Sequence, residues 1–295
     1  MFKRLPILCA ALLALAACSH DNNTSTATTP VAPVAGSTAS TPAAAASTTP
    51  ASADANTASS GSAAAPAAAS SADATPAEAT PVVAAAPFVD NGKWVEGKNY
   101  FVIDPAQPTS HPGKIEVTEV FSFGCPACNQ FHTTADQIAK SLPSDAVMNY
   151  LPSNMRPDEN WTIYQRAYFA AQALGVADKS YDAMFDATWK TGETATYDLA
   201  AGRPKPRAAW PTIETLAKFY AKYGVDPKEF LAVANSFAVN TKMAQADQLQ
   251  KAYGVEETPT MIINGKYRFT PVTAGGYPQT VELTQWLVSK IAAGK

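Results

Sequence analysis

Cys125-Pro126-Ala127-Cys128 is the feature that most restricts what this chain can fold into. Two cysteines three positions apart with a proline between them suit the first turn of a helix. Cys125 is then the N-cap and Pro126 takes the first helical position, where its missing N–H costs nothing. The unbonded N–H groups of that turn and the positive end of the helix dipole stabilise a thiolate. A cysteine so placed ionises well below the free value of ~8.5. Cys128 lies one turn in and is more enclosed, so Cys125 is the expected attacking sulfur and Cys128 the resolving one. Of the four cysteines, Cys9 falls inside an apolar leader and Cys18 at its end. The remaining pair has the spacing of a redox dithiol rather than of a disulfide framework.

The leader has a positive start at Lys3 and Arg4 and an apolar run from Leu5 to Ala17. It reads as a secretory signal, 1–17; at about 13 residues it is too short for a spanning helix, which needs ~20. Leu15-Ala16-Ala17-Cys18 resembles the lipobox of bacterial lipoproteins, which implies lipidation of Cys18 and attachment to a membrane through that lipid. Ser19 then favours the outer membrane. The competing interpretation is an ordinary signal peptide with a chance cysteine. Residues 18–87 are almost entirely Ala, Ser, Thr and Pro, with no aromatic, Leu or Ile after Cys18. Such a segment cannot bury enough apolar surface to offset the entropy of ordering, and as a flexible tether it spans about 45 Å. Residues 88–295 suffice for one domain with a sizeable core. The net charge of −3 and the lack of a basic patch give no indication of nucleic-acid binding.

Within 88–295, Tyr100–Ile103 and Lys114–Phe123 read as strands, the second rich in β-branched and aromatic residues. A helix from the first cysteine to about Ser141 and a strand over Ala146–Leu151 complete a βαβ unit. From about 159 to 253 the pattern looks purely helical. Trp161 to Leu174 carries one apolar face closed by Gly175. Further helices are expected at Tyr181–Trp189 and Ile213–Tyr223. Another follows Asp226-Pro227, with Glu229 completing a capping box, and a last one is capped by Asn240. Strands return as Thr260–Ile263 and Lys266–Phe269 around Asn264-Gly265, a pair suited to a type I′ turn. A final helix spans Thr280–Ile291. The fold class is therefore α/β: a thioredoxin-like core split by a helical insertion.

Rival uses of the cysteine pair are weaker. A structural bridge over so short a loop restricts the unfolded chain little. A zinc site would have to recruit His111 and His132, but His111 stands in a polar turn and His132 is expected on the surface of the amphipathic helix. Haem attachment needs histidine after the second cysteine, where Asn129 stands.

The segment Glu119-Val120-Phe121-Ser122-Phe123-Gly124-Cys125-Pro126-Ala127-Cys128-Asn129-Gln130-Phe131 resembles the active-site region of the DsbA family of periplasmic disulfide oxidoreductases. The likeness extends through Ala173-Leu174-Gly175-Val176, Asn235-Ser236-Phe237 and Gly254-Val255 to the hairpin at Ile263–Tyr267. It implies a nucleophile at Cys125, a resolving thiol at Cys128 and a cis-proline loop at Thr258-Pro259 facing the substrate. Glu119 would be the buried acid beneath the disulfide. The partners implied are exported proteins with reduced cysteines and a quinone-linked membrane reoxidase resembling DsbB; no cofactor is implied. Two departures stand out: Ala127 replaces the histidine of strong oxidants, and Ala146–Leu151 lacks the lysine that often pairs with the glutamate.

The expected protein is a lipid-anchored thiol:disulfide interchange enzyme of the periplasm, on the outer membrane by its Ser19. Thr258 and Ala127 lean toward a reductase or isomerase instead. A non-catalytic peptide-binding module on the same fold is the rival from a different class.

Overall fold

The computed structural model describes residues 87–295, so the leader, Cys9, Cys18 and the linker to residue 86 lie outside the described residues. The central strand, β2 (Ile115–Phe121), is buried from its second residue to its last. Val117, Val120 and Phe121 have no exposed surface. A strand so buried needs neighbours on both edges. It finds a parallel partner in β3 (Ala146–Pro152) and an antiparallel one in β6 (Thr260–Ile263). With β1 (Phe101–Val102) and β7 (Tyr267–Phe269) the sheet runs β1-β7-β6-β2-β3. The β6–β7 turn places Asn264 at φ 52° and Gly265 at φ 64°, the left-handed pair that a type I′ turn requires. A Cβ on Gly265 would stand 2.0 Å from the Gln107 carbonyl oxygen, so this turn also depends on close backbone approach.

Helix α1 (Pro126–Ser141) crosses between β2 and β3. Between it, the sheet and the last two helices, the short α7 (Pro271–Ala274) and α8 (Tyr277–Ala292), lies one core built on Val117, Phe131, Ile138, Met261, Leu283 and Leu287. A second, larger core lies under the insertion: α2 (Trp161–Ala173), α3 (Ala177–Trp189), α4 (Ile213–Ala221), α5 (Pro227–Ala234) and α6 (Phe237–Ala252). Tyr164, Phe185, Leu216, Tyr220 and Phe230 fill it, and Phe121, Phe123, Cys125 and Cys128 belong to the same cluster. The cysteines therefore sit where the insertion closes on the end of the central strand.

Several local expectations change. The insertion is not purely helical: β4 (Tyr197–Asp198) and β5 (Arg203–Pro204) form a small antiparallel ribbon. Two-residue strands carry no period to read. Helix α6 begins earlier than expected, because the Ser236 hydroxyl accepts from the Val239 N–H and serves as its cap; Asn240 lies within the helix. At α5 the Asp226 carboxylate accepts from the Lys228 and Glu229 N–H groups, without the reciprocal bond of a capping box. The Asp104-Pro105 peptide is cis, which sequence patterning did not indicate.

Phe185 has no exposed surface and touches both halves, lying 5.0 Å from Phe123 and 4.9 Å from the His132 ring, centroid to centroid. Phe185→Ala is expected to lower unfolding free energy by about 3–5 kcal/mol, read as a fall in the urea midpoint.

Candidate active site

The turn between β2 and α1 is held from several sides. Trp189 donates its indole N–H to the Phe123 carbonyl at 2.8 Å, and the Gly124 N–H reaches the Ser122 hydroxyl at 3.2 Å. A Cβ on Gly124 would come within 2.9 Å of the Trp161 indole, so only glycine lets the insertion close here. Cys125 then takes the N-cap position with extended backbone, and its sulfur accepts from the Cys128 N–H at 3.3 Å. Pro126 occupies the first turn, as its sequence position implied.

Both cysteines are free thiols, but their surroundings differ. Cys125 is 5 % exposed and Cys128 is fully buried. Hydrogen bonding from the Cys128 thiol does most to pull the Cys125 pKa down to about 6. Burial opposes it, while Thr258 and the Cys128 and Ala127 N–H groups assist. Cys128 moves the other way, held well above the ordinary thiol range by burial, by its bond to Cys125 and by the negative charges of Cys125 and Glu119. One sulfur is thus prepared as a nucleophile and leaving group, while the other keeps its proton.

The Thr258-Pro259 peptide is cis, and the Thr258 carbonyl accepts from the Cys125 thiol at 3.5 Å. A cleft of about 340 Å³ opens beside this pair, lined by Arg156, by Trp161 and Tyr197 of the insertion, and by Glu256, Glu257 and Thr258. Pro259 is buried under the loop.

Glu119 lies in the middle of β2 with no exposed surface. Burial pushes its carboxyl up to about 8, against a hydrogen bond from Tyr181 and with help from the Cys125 charge. The structure brings Cys125, Cys128, Thr258, Pro259 and Glu119 together. It departs at His132, expected on the surface but only 8 % exposed. The ring stacks on Phe185 at an interplanar angle of 19° because α3 covers that side of α1, and its Nδ1 lies 2.6 Å from the Asn129 carbonyl oxygen. His111 bonds instead to Glu116 at 2.6 Å, near the start of β2. Among the described residues no cluster of His, Cys, Asp and Glu has the form of a metal site. Sequence reasoning missed Tyr181 and Tyr197, since a tyrosine in an apolar helical stripe or an irregular loop carries no distinguishing pattern.

The thioredoxin family model matches residues 112–282. The thiol:disulfide interchange protein DsbA of Pseudomonas aeruginosa is 34% identical over 197 residues, which cover 67% of this chain and 85% of the relative. DsbA of Azotobacter vinelandii is 33% identical over 194 residues, 66% of this chain and 83% of its own length. Among solved structures, Pseudomonas aeruginosa DsbA superposes with a TM-score of 0.59 at 34% identity, covering 69% of this chain and 97% of that one. The oxidoreductase DsbA from Xylella fastidiosa gives a TM-score of 0.59 at 31% identity, with coverages of 68% and 98%. With a thioredoxin-like sheet, a helical insertion and a cysteine pair at the junction of the two, the chain belongs to the DsbA family of thiol:disulfide interchange proteins.

Proposed function

We propose that 88–295 is a single catalytic domain that introduces disulfide bonds into exported proteins through Cys125 and Cys128. In the oxidised form a substrate thiolate attacks the Cys125 sulfur. The Cys125–Cys128 bond breaks, and its electron pair leaves on Cys128. A second substrate thiolate then attacks the first substrate cysteine's sulfur in the mixed disulfide, forming the substrate disulfide and expelling Cys125 as thiolate. The substrate ends oxidised by two electrons and the enzyme holds two reduced cysteines. The observation that carries this reading is the asymmetry of the pair: a helix-capping sulfur at the cleft beside a fully buried one. The Thr258 backbone, at the cleft wall, is placed to pair with an extended substrate segment. Glu119 takes up or returns the Cys128 proton.

Electrons leave through a quinone-linked membrane partner resembling DsbB. The protein works in the periplasm, anchored by lipid on Cys18 to the outer membrane, with 18–87 as the tether. A reductase remains the second reading, because Ala127 is exposed and offers Cys125 no side-chain donor.

Equilibration in glutathione buffers tests the direction. A potential near about −120 to −150 mV supports the oxidase, and one near about −230 to −270 mV supports the reductase. Cys125→Ser should abolish turnover, and Cys128→Ser should accumulate mixed disulfides on gels. Replacement of both cysteines without loss of the protein's activity would point to the non-catalytic peptide-binding module.

Cys125 also sets a pH signature. Its folded-state pKa, about 6, lies below that of the unfolded chain, so ionisation stabilises the folded reduced form. This contribution is fully present above the unfolded value of ~8.5 and disappears as the pH falls through about 6. Ultraviolet thiolate absorbance should titrate near 6, and the reduced protein should gain urea resistance relative to the oxidised one between those limits. For the anchor, Cys18→Ala should move the protein from the membrane fraction to the soluble periplasmic one.

A further inference from the structure

Glu119 is paired across the sheet with Tyr150 on β3 and Met261 on β6. Its Oε2 accepts a hydrogen bond from the Tyr181 hydroxyl at 3.3 Å, while its Oε1 is buried without a partner. The titratable groups facing it are Tyr150 from β3, Tyr168 from α2, Tyr181 from α3, and Cys125 and Cys128 from α1. None of them is a cation. Among the described residues, the one hydrogen bond this buried carboxylate receives comes from the insertion.

We propose that Tyr181 is a positioning residue for the redox centre, its hydroxyl holding Glu119 in place to exchange a proton with Cys128. The ring leaves the hydroxyl little freedom to turn elsewhere. It lies 4.4 Å from the Tyr150 ring and is flanked by Phe121 at 5.1 Å, Phe185 at 5.4 Å and Phe123 at 5.5 Å. Burial and the neighbouring Glu119 charge hold the tyrosine's own ionisation well above its usual range, so it stays a donor. A donor at Oε2 favours the ionised carboxylate and counters the burial that favours the protonated one.

This inference rests on the proposed function. When a substrate thiolate attacks Cys125, the Cys125–Cys128 bond breaks and the electron pair leaves on the buried Cys128 sulfur. Glu119 gives that sulfur its carboxyl proton, and the carboxylate so formed accepts the Tyr181 hydroxyl. Reoxidation runs the transfer backwards, with Glu119 taking the proton from Cys128. Without the hydroxyl, the carboxylate would form in an apolar cage with no donor.

The test is Tyr181→Phe in the full chain, which removes one oxygen and keeps the ring. The protonated carboxyl stretch of Glu119, identified by its loss in Glu119→Gln, is followed by infrared spectroscopy against pH. The rate at which oxidised glutathione reoxidises the reduced protein is profiled over the same range. Tyr181→Phe should raise the carboxyl midpoint by about one pH unit, equivalent to tenfold in the ionisation constant. It should also slow reoxidation several-fold near neutral pH. The effect on rate should vanish in the Glu119→Gln background. Tyr150→Phe serves as the packing control and should leave the midpoint in place.

An unchanged midpoint in Tyr181→Phe overturns the proposal, as does an equal shift in Tyr150→Phe or a rate loss that persists with Gln at 119. Should Cys125→Ser retain turnover, the proposed function fails, yet the infrared midpoint still tests the contact between Tyr181 and Glu119.

Discussion

The hydrogen bond from the Cys128 N–H to the Cys125 sulfur is the contact on which the site depends. It is a helix cap and a redox contact at once. An ordinary cap uses a hydroxyl or carboxylate oxygen to satisfy the unbonded donors of a first turn. Here a sulfur does so, and it does so better as thiolate than as thiol. Reduction therefore strengthens the start of α1 by the same interaction that makes Cys125 a good leaving group. The Phe123–Gly124 turn, held by Trp189 and packed under Trp161, brings the chain out of β2 at the angle this cap requires.

The insertion supplies the other half of the chemistry by excluding water. A thioredoxin-like sheet and α1 alone would leave one side of the cysteine pair open. Covered by α2 and α3, Cys128 and Glu119 have no exposed surface, and His132 is buried against Phe185. Low local polarity magnifies every charge nearby and raises the cost of each unpaired one. The two sulfurs shift in opposite directions although they belong to the same helical turn: hydrogen bonding, chiefly from the Cys128 thiol, lowers Cys125 against its burial, while burial does most to raise Cys128.

What could be read from sequence was local in origin. The cysteine helix, the Asn264-Gly265 turn and the Gly175 stop follow from residues within a few positions of one another, where backbone preference decides. The ribbon of β4 and β5 is too short to have a period. Ser236 and Asn240 are both acceptable caps, and the start at Ser236 adds a turn whose Val239 is buried. His132 belongs to an amphipathic helix whose polar-looking side happens to face α3, a packing partner more than forty positions away. The position of Glu119 was anticipated through family resemblance, but its bond to Tyr181 links residues 62 apart and leaves no mark in either neighbourhood.

That bond bears on why a carboxylate is tolerated beneath the redox centre. A buried acid without a cation meets its desolvation cost by holding its proton, and the Glu119 carboxyl, pushed up to about 8, does so near neutral pH. A buried cation beside it would stabilise the carboxylate and make the proton easier to lose. A tyrosine hydroxyl does this more weakly, since it brings a dipole rather than a full charge. The group is then neutral in its resting state yet has a donor waiting for the charged one. Burial favours the protonated form of Cys128 as well, so the proton that passes between thiol and carboxyl does so between two groups that the insertion shields together.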